Sequence, residues 1–108
     1  MSTPFKRGST WRVSGVLRDS DGALVNLTGW AVASKLRTSA GVEVASLTCT
    51  VNADQVGHRG EFEVFAAAAA TALWPLGAVR WDIRLTDAGG DVTHTRTVPV
   101  TIEEPVTR

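Results

Sequence analysis

The segment from Ala78 to Ile102 constrains the fold of this chain more than any other. Its first half alternates strictly between apolar and polar residues: Val79, Trp81, Ile83 and Leu85 against Arg80, Asp82, Arg84 and Thr86. A period of two is typical of a strand with one face in a core and the other in water. The turn sequence Asp87-Ala88-Gly89-Gly90-Asp91 follows, and then a second run rich in Val and Thr. The segment therefore predicts a β-hairpin.

Similar patterns recur along the rest of the chain, with turn signals about ten residues apart. The predicted strands before the hairpin are Thr10 to Arg18, Ala23 to Val25, Trp30 to Arg37, Val42 to Val51 and Glu61 to Ala66. The apolar phase changes within Val42 to Val51, which predicts a β-bulge near Ala45-Ser46. Five consecutive alanines predict one short helix at 66–73, which Trp74-Pro75 ends.

These elements predict one all-β domain over residues 1–108, with 1–4 and 103–108 as tails. About seven short strands favour an antiparallel β-sandwich, and a small closed barrel is the alternative with the same sequence pattern. The pattern disfavours a parallel α/β fold, because there is no crossover helix of adequate length between most of the strands.

The register of the last hairpin has two solutions. Pairing Asp87 with Val92 places Trp81 opposite Val98, which suits the core but turns His94 and Arg96 inward. Shifting the pairing by one residue places Arg96 opposite Asp82, an attractive surface pair, but turns Val98 and Val100 outward. We prefer the first register around Val98, and a phase-correcting bulge near Arg96 is the alternative. Pro99 has no N–H group, so we expect its strand to lie at an edge or Pro99 to face away from its partner.

Composition and charge exclude several classes of function. The chain has 11 basic and 11 acidic residues and no basic block, so it is a poor candidate for binding nucleic acid. Its longest apolar block, Phe62 to Trp74, is interrupted by Glu63 and Thr71, so we expect no membrane span. The first residues contain no stretch like a signal peptide, and we expect synthesis in the bacterial cytoplasm. The lone Cys49 is in phase with Leu47 and Val51, as expected for a small core residue.

The sequence predicts no catalytic, metal-binding or cofactor-binding residue. His58 and His94 share no spacing motif. Asp19-Ser20-Asp21-Gly22 begins like a calcium loop but lacks the later ligands, so a plain turn is expected. We therefore predict a protein that is not an enzyme.

Two features are candidates for interaction. Thr93, Thr95, Thr97 and Pro99 lie on the last predicted strand, where an exposed edge could pair with another sheet. Trp74, beside Pro75, is the tryptophan that we expect to be most exposed; Trp11, Trp30 and Trp81 are in phase with core residues.

Short motifs along most of the chain resemble a known family. They are Arg7-Gly8-Ser9-Thr10, Asp19-Ser20-Asp21-Gly22-Ala23-Leu24-Val25-Asn26-Leu27-Thr28-Gly29, Gly60-Glu61-Phe62, Trp74-Pro75-Leu76-Gly77-Ala78-Val79 and the run from Asp82 to Gly90. Their order is similar to that in the immunoglobulin-like N-terminal domain of phage baseplate upper proteins and in related small phage tail proteins. The chain departs from that pattern at Ser9, Leu76 and Val79, where Asp, Pro and an aromatic residue are usual.

The resemblance implies an immunoglobulin-like sandwich that acts as a structural protein of a phage or prophage particle, in the tail or baseplate. It implies oligomeric assembly in the virion, with other phage structural proteins or copies of itself as partners, and no cofactor, nucleic acid or membrane. The alternative hypothesis is a carbohydrate- or ligand-binding β-sandwich module.

Overall fold

The fold is a single curled β-sheet with one short helix, as seen in a computed structural model that describes residues 3–107. The strands are β1 (Thr3–Lys6), β2 (Trp11–Val16), β3 (Ala31–Thr38), β4 (Glu43–Val51), β5 (Glu61–Ala66), β6 (Gly77–Thr86), β7 (Val92–His94) and β8 (Val98–Glu103), and the helix is α1 (Ala68–Thr71). The nearly all-β class predicted from the sequence is confirmed.

The strands follow the order β1-β8-β6-β3-β4-β5-β2, and β7 pairs with β6 beside β8. Neighbouring strands are antiparallel except β1 and β8, which are parallel with Phe5 opposite Ile102. The sheet is therefore mixed, whereas the sequence predicted an antiparallel arrangement. Strand β4 bends between two partners: its first half pairs with β3 and its second half with β5.

The core lies inside the curl and is built from the apolar phase of each strand. Its buried members are Trp11, Leu27, Leu36, Leu47, Phe62, Val64, Ala66, Trp74, Val79, Ile83, Leu85, Val100 and Ile102. The alternation in β6 is confirmed, because Val79, Ile83 and Leu85 are buried and Arg80 and Arg84 are exposed. Trp30, Trp81 and Cys49 are half-buried against this core.

Gly15 shows how closely β2 and β5 pack. It lies directly opposite Phe62, and a Cβ atom at this position would come within 2.4 Å of the Phe62 ring. The ring thus covers the space over the glycine, an arrangement known to offset the weakness of glycine in a strand.

The predicted bulge in β4 exists, one residue earlier than expected. Leu36 pairs with Ala45 and Arg37 with Glu43, so Val44 is the extra residue. The two residues opposite one on β3 shift the apolar phase and allow both halves of β4 to face the core.

The last hairpin combines both registers considered from the sequence. Trp81 lies opposite Val98 and Val79 opposite Val100, as preferred. Thr86, however, pairs with Val92 and Arg84 with His94, which is one residue out of that register. A shift between β7 and β8 therefore takes place around Thr95 to Thr97, where the alternative placed a bulge.

The ends of the chain differ from the prediction. Thr3 and Pro4, expected in a tail, belong to β1, and Glu103, also expected in a tail, ends β8. Met1, Ser2 and Arg108 lie outside the described residues. Strand β1 was missed because Phe5 is its one large apolar residue and its partner β8 is distant in sequence.

Two shorter elements are reduced relative to the prediction. The helix covers four residues rather than 66–73, because Ala66 pairs with Trp11 in the ladder and Ala67 offers no capping side chain. The predicted strand from Ala23 to Val25 is a single bridge between Arg18 and Leu24. Asp19-Ser20-Asp21-Gly22 forms the expected turn, in which the Asp19 carboxylate accepts hydrogen bonds from the N–H groups of Asp21 and Ala23.

Candidate interaction surfaces

The predicted interaction edge is divided by the structure. Strand β7, which contains Thr93, has β6 on one side and no described strand on the other. Pro99 is in β8, which lies between β6 and β1 and is not an edge. The first of the two expectations for Pro99, that its strand lies at an edge, is therefore wrong, because β1 pairs with β8 on that side. Of the predicted edge residues, only those of β7 lie in an edge strand; β1 and β2, at the two ends of the strand order, are the other edge strands of the described sheet.

The threonine row is also interrupted. Thr95 is half-buried, and its hydroxyl oxygen accepts a hydrogen bond from the backbone N–H of Ile83 at 2.9 Å. Its own N–H donates to the Ile83 carbonyl. Thr93 and Thr97 are exposed. Thr95 thus holds the register shift of the hairpin and is not part of a free polar face.

Trp74 is buried, with 5% of its surface exposed, which corrects the expectation of an exposed aromatic. Its ring lies 5.5 Å from Phe5 and 5.7 Å from Trp11, measured between centroids. The covering ring comes from β1, the strand that the sequence pattern did not indicate. All seven aromatic residues fall within 3–107, and each of them is buried or half-buried.

A groove on the outer face of β3 and β6 is the most distinctive polar surface of the described residues. It has a volume of about 410 Å³ and extends to His94 and Thr97 at one end and the β3–β4 turn at the other. Its charged residues are Lys35, Arg37, Arg80, Asp82 and Arg84. We call this surface the basic groove.

The sheet register arranges these charges in three rows across the strands. Arg37 lies opposite Arg80, Lys35 opposite Asp82, and Ala33 opposite Arg84. Arg84 in turn lies opposite His94 of β7. The first row is the like-charge pair Arg37 and Arg80. In the second row the charges of Lys35 and Asp82 are opposite in sign. The third row places Arg84 between Ala33 and His94.

Glu43 of β4 neutralises part of the groove from its β3 side. The Lys35 ammonium donates a hydrogen bond to its carboxylate at 2.8 Å, and Arg37 Nη2 lies 3.9 Å away. The hydrogen bond from Lys35, together with the positive charge of the Lys35 ammonium, holds the pKa of Glu43 below its ordinary value. On the β6 side, neither Arg80 nor Arg84 forms an ion pair within 4.0 Å with any residue from 3 to 107.

The sequence indicated which charged residues of each strand face outward, but not that they form one groove. The outward phase of β3 (Lys35, Arg37) and of β6 (Arg80, Asp82, Arg84) is visible as alternation. What the sequence could not show is that these two strands, more than forty residues apart, are neighbours in this register.

The remaining reactive side chains do not converge. His58 pairs with Glu61 in an exposed loop contact of 2.6 Å, and His94 lies in β7, beside β6 rather than β5. Within residues 3–107, no three His, Cys, Asp or Glu side chains are grouped so that they could hold a metal ion. Burial raises the pKa of the Cys49 thiol. In the same range, no helix has the length and apolar character needed to cross a membrane.

Comparisons with known proteins place the fold but no family. No protein-family model and no curated protein matches the chain. Among solved structures, the filamin domain of Lin-41 is similar, with a TM-score of 0.55 and 13% identity over 95% of this chain and 85% of that chain. At this identity the likeness concerns the fold alone. The chain is therefore a nearly all-β protein whose fold is similar to that of a filamin domain.

Proposed function

We propose that this chain is a structural module of a phage or prophage particle, in the tail or baseplate, that acts through protein–protein assembly surfaces. In this proposal the curled sheet serves as an immunoglobulin-like sandwich, made in the bacterial cytoplasm and incorporated into the virion. Its partners are other structural proteins of the particle or copies of itself. The phage assignment rests on the turn motifs from Arg7 to Gly90.

The observation that carries an assembly role is the free side of β7. Val92–His94 pairs with β6 only, and Val92 is exposed. A strand with an unpaired side offers backbone N–H and C=O groups to a neighbouring strand.

The test is co-purification of the chain with the proteins encoded beside its gene, followed by size-exclusion chromatography with light scattering. We expect a stable complex or a defined oligomer. The substitution Val92→Lys, which puts a charge on the β7 edge, should weaken the association, and Val106→Lys, at another exposed valine, should not.

The proposal would be overturned if the chain stays monomeric at high concentration and binds none of these neighbours. A carbohydrate-binding module, the alternative from the sequence, would instead give hits on a glycan array.

A further inference from the structure

We propose that the basic groove binds an extended acidic segment of a partner protein, with carboxylates in contact with Arg80 and Arg84. This inference rests on the proposed assembly role, and it names the chemistry of one partner. The inference depends on the charges in the three rows of the groove and on the distance between Arg80 and Arg84 along β6.

In the first and third rows of the groove, an arginine of β6 has no negatively charged partner among residues 3–107. Like charges directly opposite each other in a sheet, about 5 Å apart at Cβ, are destabilising, and Arg37 and Arg80 are such a pair. Arg37 has Glu43 at 3.9 Å, whereas Arg80 has no ion pair among residues 3–107. Arg84 of the third row has none there either. The Lys35–Asp82 row between them is already balanced.

The distance between the two anion positions selects an extended ligand. Arg80 and Arg84 are four residues apart on one strand. At 3.3 Å per residue, their Cα atoms are about 13 Å apart. With both side chains extended away from the strand, their guanidinium groups contact separate anions rather than one small anion. An extended peptide reaches both with acidic residues at positions i and i+4, because it has the same rise per residue.

The groove also favours a polypeptide over a nucleic acid. Asp82 lies between the two arginines and Glu43 flanks the β3 side, so a continuous phosphate backbone would meet carboxylates at both places. A peptide can place an uncharged or basic residue there.

A second copy of this chain does not fit the spacing. None of the strands described carries carboxylates four residues apart: Glu61 and Glu63 of β5 are two apart, and the other strands have one acidic residue or none. The occupant is therefore a different protein.

The experiment is an NMR titration of the isotopically labelled full chain with the peptide acetyl-Gly-Glu-Ser-Thr-Ser-Glu-Gly-amide at low salt. We expect shifts of signals from Arg37, Arg80 and Arg84, with weaker binding as salt is added. The peptide with glutamine in place of both glutamates, and the one with adjacent glutamates, should bind at least about threefold more weakly.

Two variants locate the binding. Arg80→Gln combined with Arg84→Gln should reduce affinity for the peptide by about fivefold, the scale expected for two exposed charge pairs. Arg59→Gln removes one charge from the exposed loop before β5 and should leave affinity unchanged. Both variants keep the folded NMR spectrum, since each changed side chain is exposed.

Four outcomes would overturn the inference: no shifts at the groove, equal binding of the glutamine peptide, tighter binding of a thymidine oligonucleotide, or self-association that the double arginine variant abolishes. The two proposals can fail separately. If the double variant assembles with neighbouring gene products as the parent does, the groove assignment fails and the assembly role stands. If the chain binds the peptide at the groove but no neighbouring protein, the assembly role fails.

Discussion

Gln55 joins three segments of the chain through one buried side-chain amide. Its Oε1 accepts hydrogen bonds from the N–H groups of Leu27 and Gly60, each at 2.9 Å. Its Nε2 donates to the Asn52 carbonyl at 2.7 Å. Buried backbone groups need such partners because water cannot reach them. The side chain is 5% exposed, although it lies in a loop that the sequence describes as polar.

Replacing Gln55 with Ala should lower the free energy of unfolding by about 2–4 kcal/mol, because two buried N–H groups and one carbonyl lose their partner together. Urea unfolding followed by tryptophan fluorescence measures the change. The control is Val56→Ala at the next residue, which is 92% exposed and should change stability by less than about 0.5 kcal/mol. Equal effects of the two substitutions would contradict the role of Gln55.

The burial of single residues was predictable in strands, where apolar and polar residues alternate. It was not predictable in a loop that folds back on itself, because such a loop has no regular pattern. Trp11, Ile83 and Leu85 were correctly predicted to face the core from alternation alone. Gln55 was missed because a polar residue among Asn, Asp and Gly has no pattern that indicates burial. Trp74 was misjudged for the complementary reason: the ring that covers it, Phe5, comes from a strand without a clear sequence pattern.

Within the last hairpin, Thr95 makes the change of register possible. At this point the backbone of the second strand leaves the ladder, and the hydroxyl of Thr95 takes over as acceptor for the Ile83 N–H. The Thr95 N–H donates to the Ile83 carbonyl at 2.8 Å, so both polar groups of Ile83 keep a partner. The sequence showed that neither register satisfied every residue, and it placed the alternative bulge near Arg96. It could not indicate that a threonine side chain would substitute for the backbone.

We expect Thr95→Val to destabilise the protein by about 1–2 kcal/mol, because the Ile83 N–H loses its acceptor in a partly buried place. Thr95→Ser, which keeps the hydroxyl, should recover most of that loss. Hydrogen exchange read by NMR gives the specific signal: the Ile83 amide should exchange faster in the valine variant and at the parental rate in the serine variant.

Thr93→Val is the matched control for this hairpin, because Thr93 is exposed in β7 and valine is an equally good strand residue. It should leave the exchange of the Ile83 amide unchanged. Unaltered Ile83 exchange in Thr95→Val would mean that the register shift does not depend on the threonine hydroxyl.

The whole molecule is closed by an aromatic cluster between the two ends of the sheet. Strands β1 and β2 are first and last in the strand order, yet Phe5 of β1 lies 5.0 Å from Trp11 of β2, edge to face. Trp11 also contacts Trp81 of β6 at 5.2 Å. The curl therefore brings together strands that make no backbone ladder with each other.

The overall order of strands is the part of the fold that the sequence did not supply. Alternation and turn residues act over about ten residues, whereas the pairing of β3 with β6 and of β1 with β8 joins segments far apart in the chain. The basic groove depends on that long-range pairing, since Arg37 and Arg80 meet only through it. A surface built across two distant strands cannot be read from either strand alone.

If the cluster closes the sheet, Phe5→Ala should destabilise the whole domain by about 2 kcal/mol, since a half-buried ring and its edge-to-face contact are lost. Unfolding in urea should remain a single transition, because β1 is part of the same sheet. Trp11 and Trp74 should become more accessible, and the fluorescence of the folded variant should shift to the red. Leu73→Ala, at a side chain that is 85% exposed near the cluster in sequence, is the control and should leave both properties unchanged. A Phe5 variant no less stable than the Leu73 variant would show that β1 lies on the domain without closing it.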